Sequence, residues 1–328
     1  MATPEQVQAA IQQADNLVLA THINPDGDAI GSLLGMMHIL QGMGKKVFAY
    51  LEEPVSPLYR FLTGCGHIQT DLGALADFVD KAQGNILGVA LDCGDRQRLG
   101  KNGPHLLQIQ PFLVIDHHQG NNGFGGIAWV EPGRSSTGEM VYDLARSLGR
   151  EITTEAAECL YAAITTDTGS FKYESTSAHT MQVVSDLIAC GVQPAVICSN
   201  LYDNYTLGRL HLLQEVLAGL EMYHKDRIAV IRVTRNMLER TFTTMEDTEH
   251  FINLPRSVRS VRVAVFIKEA DQHSVSVSMR AKGKCDVAAV AAKLGGGGHK
   301  NASGFRCHNK SIDEVRDLLV PLLQQAMA

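Results

Sequence analysis

Short, nearly continuous apolar runs alternate with helical repeats in the first part of this chain. The runs at residues 17–20, 47–51, 86–91 and 112–115 predict four strands. Apolar residues three and four positions apart predict helices between these strands. Strands that are apolar on both faces are typical of a parallel sheet with helices on each side. We therefore expect an α/β fold with an N-terminal domain at residues 1–200.

The pattern changes beyond residue 200. An amphipathic repeat predicts one connecting helix over residues 201–223. Runs at 228–233, 261–267 and 274–279 predict strands, and the last alternates apolar residues with serines. Ser311 and Glu314 form a capping-box pattern, which predicts a final helix. These elements predict a smaller mixed α/β domain at residues 224–328.

Composition narrows the function classes. A chain of 328 residues with 45% apolar and 20% charged residues is typical of globular protein. Its net charge of −6 gives no reason to expect duplex DNA binding, and 6% aromatic residues argue against a long single-strand platform. Seven scattered cysteines without a CxxC pair favour a reduced, cytoplasmic protein. We find no secretory signal pattern in residues 1–15 and no membrane-spanning apolar run.

Histidine and aspartate residues recur in four short clusters of the first domain. The candidate metal ligands are His22, Asp26, Asp28, Asp92, His117 and Asp167. The first three clusters follow predicted strands, and the fourth ends a predicted helix. Because the carboxyl ends of parallel strands meet at one edge of a sheet, we expect the clusters to converge. Carboxylates with imidazoles suit two divalent cations such as Mn²⁺ or Mg²⁺, and Asp92 on a central strand is the best bridging candidate.

Each cluster also has a structural interpretation. Asp26-Gly27-Asp28 is a common turn pattern, and Asp92 or Asp116 could cap a helix. Adjacent histidines after a buried strand are harder to explain, since burying an imidazole without a partner is unfavourable. Four such clusters at the ends of elements in one sheet together favour a functional site.

Several of these segments resemble one known family. Asp116-His117-His118 resembles the signature of the DHH phosphoesterase superfamily, which includes RecJ-like nucleases and family II pyrophosphatases. The sequences HINPDGDAIGS, ALDCGD and TDTGSF resemble the other motifs of that family, in the same order. The glycine run at 295–298, with His299 and the ASGF segment, resembles the DHH-associated C-terminal domain. In length and domain order the chain is similar to the bacterial oligoribonuclease and pAp-phosphatase group.

The resemblance implies phosphoester hydrolysis with two Mn²⁺ ions, Mg²⁺ being the alternative. It assigns one ion to His22, Asp26 and Asp92, and the other to Asp28, Asp92, His117 and Asp167. In the same way, Asp116 orients a neighbouring group and His118 faces the substrate phosphate or the leaving oxygen. Expected substrate contacts of the second domain are Arg256, Arg280, Gly296, Gly297, Gly298, His299 and Ser303. A flexible glycine loop and an exposed basic patch are the alternatives for these residues.

Short RNA oligonucleotides and pAp (3′-phosphoadenosine 5′-phosphate) are the expected substrates. The nearest enzyme alternative acts on cyclic di-AMP or on linear pApA. No duplex DNA or membrane partner is expected, and the group resemblance hints at a homodimer. A non-catalytic nucleotide-binding protein is a further alternative, but it should lack at least one ligand, and all six are present.

Overall fold

Two β-sheets organise the chain, one in each of two units, Met1–Asn204 and Tyr205–Ala328. The structure is a computed structural model, and it describes residues 1–121, 123–271 and 273–327 apart from the side chain of His299. The expected α/β class is confirmed, with a parallel sheet in the first unit and a smaller mixed unit after it.

The first unit has a five-stranded parallel sheet. Its strands are β1 (Asn16–Ala20), β2 (Lys46–Tyr50), β3 (Ile86–Leu91), β4 (Phe112–Asp116) and β5 (Ile127–Val130). Their order is β2–β1–β3–β4–β5, so β3 is central. Its helices are α1 (Pro4–Gln13), α2 (Gly27–Gly42), α3 (Leu72–Asp80), α4 (Gly103–Leu106), α5 (Thr137–Ser147), α6 (Thr154–Asp167), α7 (Ala178–Ala189) and α8 (Pro194–Tyr202). The four predicted strands are confirmed, and β5 is an additional edge strand.

Both faces of this sheet are covered, as the continuous apolar runs predicted. Leu17 and Leu19 of β1 pack into the core that contains α2, α5 and α6. Val18 and Ala20 point to the opposite face, into a core that contains Leu75 of α3. Burial on both faces explains why these strands lack polar alternation.

Helices α2 and α6 pack closely through glycines spaced four residues apart. A Cβ at Gly27 would lie 2.4 Å from Thr166 Oγ1, and one at Gly31 would lie 2.4 Å from a carbonyl oxygen of α6. Gly35 is similarly close to Leu160. The sequence suggested that Gly27 lies in a separate turn. In the structure Gly27 is instead the first residue of α2, where it leaves room for α6. The contact places the start of α2 beside the end of α6.

The second unit has a six-stranded mixed sheet. Its strands are β6 (Glu221–Tyr223), β7 (Ile228–Val233), β8 (Val263–Glu269), β9 (Ser274–Ala281), β10 (Gly297–His299) and β11 (Ala302–His308). The order is β10–β11–β9–β8–β7–β6, and among the described strands of this second sheet only β7 and β8 pair in parallel. Its helices are α9 (Leu207–Ala218), α10 (Arg235–Thr241), α11 (Asn253–Ser257), α12 (Val287–Ala292) and α13 (Ile312–Ala326). The capping box predicted for the last helix is present.

The prediction of one connecting helix over residues 201–223 is wrong. Helix α8 ends at Tyr202, and α9 begins after Thr206, whose side chain accepts a hydrogen bond from the Arg209 backbone N–H (3.0 Å). This N-cap starts a new helix, since a threonine hydroxyl satisfies a backbone donor that the helix leaves unpaired. Residues 221–223 then pair with β7 as a strand.

No single helix of the described chain is long and apolar enough to cross a membrane. Helices α7 and α8 together have the length and apolar composition of a membrane span, but the two helices are bent by 108° relative to each other.

Candidate metal centre

The six predicted ligands lie just beyond the carboxyl end of the first sheet or at adjacent helix termini. They follow β1, β3 and β4, begin α2 or end α6: His22, Asp26, Asp28, Asp92, His117 and Asp167. Asp26 is the N-cap of α2, and its carboxylate accepts from the Ala29 backbone N–H (3.1 Å). Asp92 has a φ of +54°, a left-handed conformation that costs a non-glycine residue about 1–3 kcal/mol.

The ligand atoms form two groups that meet at Asp92. His22, Asp26 and Asp92 form the first group; Asp28, His117 and Asp167 form the second, with the ligand atoms of each group within 4.8 Å of one another. Asp92 and His117 also lie within this distance of His118, which makes a third, overlapping set. Asp92 Oδ2 lies 3.6 Å from His22 Nε2, and Asp92 Oδ1 lies 3.6 Å from His117 Nε2. One carboxylate thus faces both groups through different oxygens.

Backbone carbonyls orient both imidazoles. His22 Nδ1 lies 2.8 Å from the Ile23 carbonyl oxygen, and His117 Nδ1 lies 3.2 Å from that of Arg134. If each Nδ1 donates, each Nε2 presents its lone pair to the carboxylates. His22 Nε2 is buried and has no hydrogen-bond partner in the part of the chain that the structure describes. A buried lone pair beside carboxylates fits a metal cation, because hydrogen-bonded imidazoles of this kind are common metal ligands.

The first turn of α5 holds two of the carboxylates. The backbone N–H groups of Thr137 (2.7 Å) and Gly138 (2.9 Å) donate to Asp28. The Thr137 hydroxyl donates to Asp92 Oδ1 (3.0 Å), and the Ser32 hydroxyl donates to Asp28 (2.9 Å). This helix start was not among the candidate site residues predicted from the sequence. The Ser-Ser-Thr-Gly segment is the signal that could have pointed to a carboxylate-binding helix terminus.

A buried glutamate anchors this helix start. Glu139 is 1% exposed and accepts hydrogen bonds from Ser135 (2.5 Å), Thr180 (2.7 Å) and Arg134 (3.3 Å). Arg134 is also the residue whose carbonyl holds His117. The segment between Arg134 and Thr137 therefore links Glu139 to ligands of both groups.

The clustered charges shift the titration of the ligands. Burial and the charge of Asp92 raise the pKa of Asp28 well above its usual value. Burial alone would lower the pKa of His117, but Asp167, Asp28 and Asp92 raise it to about 10. Burial raises the pKa of Asp167 to about 6, although His117 opposes this shift. Carboxylates crowded in this way attract positive charge, which divalent cations supply.

Asp116 and His118 lie beside the two groups. His118 Nδ1 lies 2.7 Å from Asp116 Oδ1, and Asn121 donates to Asp116 Oδ2 (2.6 Å). Asp116 is fully buried, whereas His118 is partly exposed. The carboxylate thus fixes the orientation of the His118 ring.

The chain matches known protein families over most of its length. The profile of the DHH family, N-terminal domain, matches residues 16–164, and that of the DHHA1 domain matches residues 226–327. A bifunctional oligoribonuclease and PAP phosphatase NrnA of Thermus thermophilus is 30% identical over 312 residues, which cover 95% of this chain and 90% of that protein. The chain belongs to the DHH family.

Two further relatives match over nearly the full length. A bifunctional oligoribonuclease and PAP phosphatase NrnA of Bacillus subtilis is 28% identical, with 94% of each chain covered. The crystal structure of an exopolyphosphatase-related protein from Bacteroides fragilis has a TM-score of 0.89 and 29% identity, covering 98% of this chain and 95% of that one. The predicted family and the predicted class, a phosphoester hydrolase, are confirmed.

Two predicted arginines of the DHHA1 unit lie at one end of β9. Arg280 is the penultimate residue of this strand, and its guanidinium donates to the Met279 carbonyl (3.2 Å). Arg256 Nε donates to the carbonyl of Ala281, the last residue of the strand (3.4 Å). Lys282, which sequence reasoning missed, follows directly, and burial together with the charge of Arg256 lowers its pKa. Three basic side chains make this end of the sheet suited to an anion.

The predicted glycine run is partly a strand rather than a turn. Residues Gly297–His299 form β10 and pair with β11, in which Ala302 lies opposite both His299 and Arg280. A Cβ at Gly296 would lie 2.1 Å from a carbonyl oxygen of β11, and one at Gly298 would lie 2.5 Å from another. Close pairing therefore requires glycine at both positions. It brings the glycine strand into register with Arg280.

Ser303 has a different environment from the one expected. It is 5% exposed, and its hydroxyl donates to the Val287 carbonyl (2.7 Å). This bond anchors β11 to α12, so we leave Ser303 out of the proposed substrate contacts. The side chain of His299 lies outside the described residues, and its role stays a prediction.

Proposed function

We propose that this protein is a Mn²⁺-dependent phosphoesterase that hydrolyses short oligoribonucleotides and pAp. The observation that carries the proposal is the position of Asp92, 3.6 Å from an imidazole Nε2 of each ligand group. The names of the relatives from Thermus thermophilus and Bacillus subtilis support the substrate class. Mixed carboxylate and imidazole ligands favour Mn²⁺ over Mg²⁺, which prefers oxygen.

Two cations fit the donor set described above. His22, Asp26 and Asp92 would hold one, and Asp28, Asp92, His117 and Asp167 would hold the other. When bound, such cations polarise phosphoryl oxygens and lower the pKa of water. The chain's own contribution is to fix these side chains through Ile23, Arg134 and the first turn of α5.

His118 is placed to act on the leaving oxygen. Hydrolysis forms a bond between the water oxygen and phosphorus and breaks the bond from phosphorus to the ribose oxygen, which must gain a proton. Because Asp116 lies 2.7 Å from His118 Nδ1 and orients the ring, we assign Nε2 as the nitrogen that would act on the leaving oxygen. A positioned acid of this kind contributes about 10²–10⁴-fold to the rate.

The DHHA1 unit would hold a second phosphate of the substrate. Arg280 and Arg256 each contact a backbone carbonyl at the same end of β9, and arginine binds phosphate through two parallel hydrogen bonds. The glycine strand Gly296, Gly297 and Gly298 is paired beside them through β11.

A parallel assay tests the proposal. The full chain is incubated with pAp, pApA or cyclic di-AMP in the presence of Mn²⁺, Mg²⁺ or EDTA, and products are separated by chromatography. We expect Mn²⁺-dependent hydrolysis of pAp and pApA and none with EDTA. Hydrolysis of cyclic di-AMP alone would reassign the substrate. If no substrate is hydrolysed with either metal, the enzyme function is refuted.

His118→Ala separates catalysis from metal binding. We expect kcat to fall at least about 100-fold while bound Mn²⁺ stays at the wild-type level. His105→Ala, which changes an exposed histidine of α4, is the matched control and should leave kcat unchanged. Loss of a metal equivalent in His118→Ala would contradict a role at the leaving oxygen and make His118 a ligand.

A further inference from the structure

A half-buried arginine that no family motif singled out lies at the edge of the metal centre. Arg98 belongs to the short 3-10 helix Arg96–Leu99, which follows β3 and Asp92. Its carbonyl accepts a hydrogen bond from the backbone N–H of Ile23 (2.8 Å), the residue after His22. The backbone of Arg98 is therefore attached to the loop that carries a predicted metal ligand.

The surrounding segment is fixed by its own contacts. Asp95 caps the 3-10 helix by accepting from the Gln97 backbone N–H (2.7 Å). Gly100 has a φ of +84°, and a Cβ there would lie 2.6 Å from the side chain of Ile23. The Arg98 backbone is thus held beside Ile23 by its own carbonyl and by the close approach of Gly100.

The Arg98 side chain extends to His118. Its Nη1 lies 3.5 Å from His118 Nε2, a distance at which a hydrogen bond is weak. No carboxylate of the described residues lies within 4.0 Å of the Arg98 guanidinium. The nearby carboxylates of Asp116 and Asp92 instead contact the His118 ring. A guanidinium has five N–H donors, so most of those of Arg98 remain available to a ligand.

We propose that Arg98 binds the scissile phosphoryl group. It would donate to a non-bridging oxygen while His118 faces the leaving oxygen. One phosphoryl group can contact both side chains, because Arg98 Nη1 and His118 Nε2 are neighbours. A phosphoryl group carries several negatively charged oxygens, so a cationic side chain can bind it in addition to the two cations that the acidic cluster would hold. Arginine supplies a planar pair of donors that matches phosphate geometry, and lysine does not. This inference rests on the proposed function and names a further catalytic residue of the same site.

Kinetics of four proteins test the inference. The wild type, Arg98→Ala, Arg98→Lys and Arg96→Ala are assayed with pAp at saturating Mn²⁺, and Mn²⁺ binding is measured by calorimetry. We expect kcat/KM to fall about 10²–10³-fold in Arg98→Ala, as when one donor to a transition state is removed. Arg98→Lys should recover only part of this loss. Arg96 is exposed on the same 3-10 helix, so its variant should retain wild-type kinetics.

Binding of inorganic phosphate to the Mn²⁺-loaded proteins gives a second readout. Phosphate should bind the wild type and Arg96→Ala and bind Arg98→Ala at least about tenfold more weakly. The inference is overturned if Arg98→Ala keeps kcat/KM within threefold of wild type, or if it loses Mn²⁺ binding, which would indicate a structural role. Absence of hydrolysis in the wild type would refute the proposed function instead, and phosphate binding would still test Arg98.

Discussion

Thr137→Val tests whether the first turn of α5 determines metal affinity. Thr137 is fully buried, and its hydroxyl donates to Asp92 Oδ1 over 3.0 Å. Valine has nearly the same shape without the hydroxyl, so the backbone contacts to Asp28 remain. A hydrogen bond to a charged group contributes about 1.5–3 kcal/mol. At about 1.4 kcal/mol per factor of ten, we expect Mn²⁺ affinity to fall between about tenfold and about 100-fold.

The assay is calorimetric titration of Mn²⁺ into metal-free protein, with circular dichroism to verify the fold. Thr137→Ser restores the hydroxyl and should bind Mn²⁺ within threefold of wild type. Thr154→Val is the matched control, because its hydroxyl donates to the Cys190 carbonyl (2.8 Å) at the opposite end of α6 from Asp167. Wild-type affinity in Thr137→Val would refute the reasoning, since Asp92 would then be oriented without this hydroxyl.

Three further substitutions probe the same architecture. Asp92→Asn should remove both bound cations together, measured as Mn²⁺ content by mass spectrometry, because this carboxylate faces both ligand groups. Glu139→Gln should weaken Mn²⁺ binding about 10–100-fold in calorimetry, because the charge that orders Ser135, Thr180 and Arg134 is lost. Gly31→Ala should lower the free energy of unfolding in urea by about 1–3 kcal/mol, because its methyl group meets the backbone of α6. One full Mn²⁺ equivalent in Asp92→Asn, or wild-type affinity in Glu139→Gln, would contradict these expectations. Gly42→Ala is the control for Gly31→Ala, since a Cβ at Gly42 meets nothing within 4 Å. Equal stability of the two variants would show that α2 and α6 can move apart at little cost in free energy.

Much of the first unit could be predicted because its signals are local. The runs that became β1 to β4 are continuous and apolar, and the ligands stand directly after them or at a helix end. Convergence of the ligands then follows from parallel topology. Strand β5 escaped prediction because it is four residues long and mostly half-buried at the sheet edge. The connecting helix was wrong because amphipathic spacing continued across the Thr206 N-cap.

The supporting residues could not be predicted, because their partners are distant in the chain. Thr137 is 45 residues from Asp92. Arg98 is 20 residues from His118, and only the fold shows that they are neighbours. The contact of Gly31 with α6 likewise depends on a helix more than a hundred residues later.

The wide separation of the ligands along the chain has a consequence for assembly. The first ligand is His22 and the last is Asp167, so no short fragment of the first unit contains either complete group together with its supporting hydrogen bonds. A cation bound there therefore stabilises only the completed unit, by about 2.7 kcal/mol when its concentration is 100 times its dissociation constant. During synthesis the centre can form only after α6 has left the ribosome. Metal content would then report on the integrity of the whole unit. Chelation should lower the melting temperature of this unit and leave its secondary structure unchanged at temperatures below the unfolding transition.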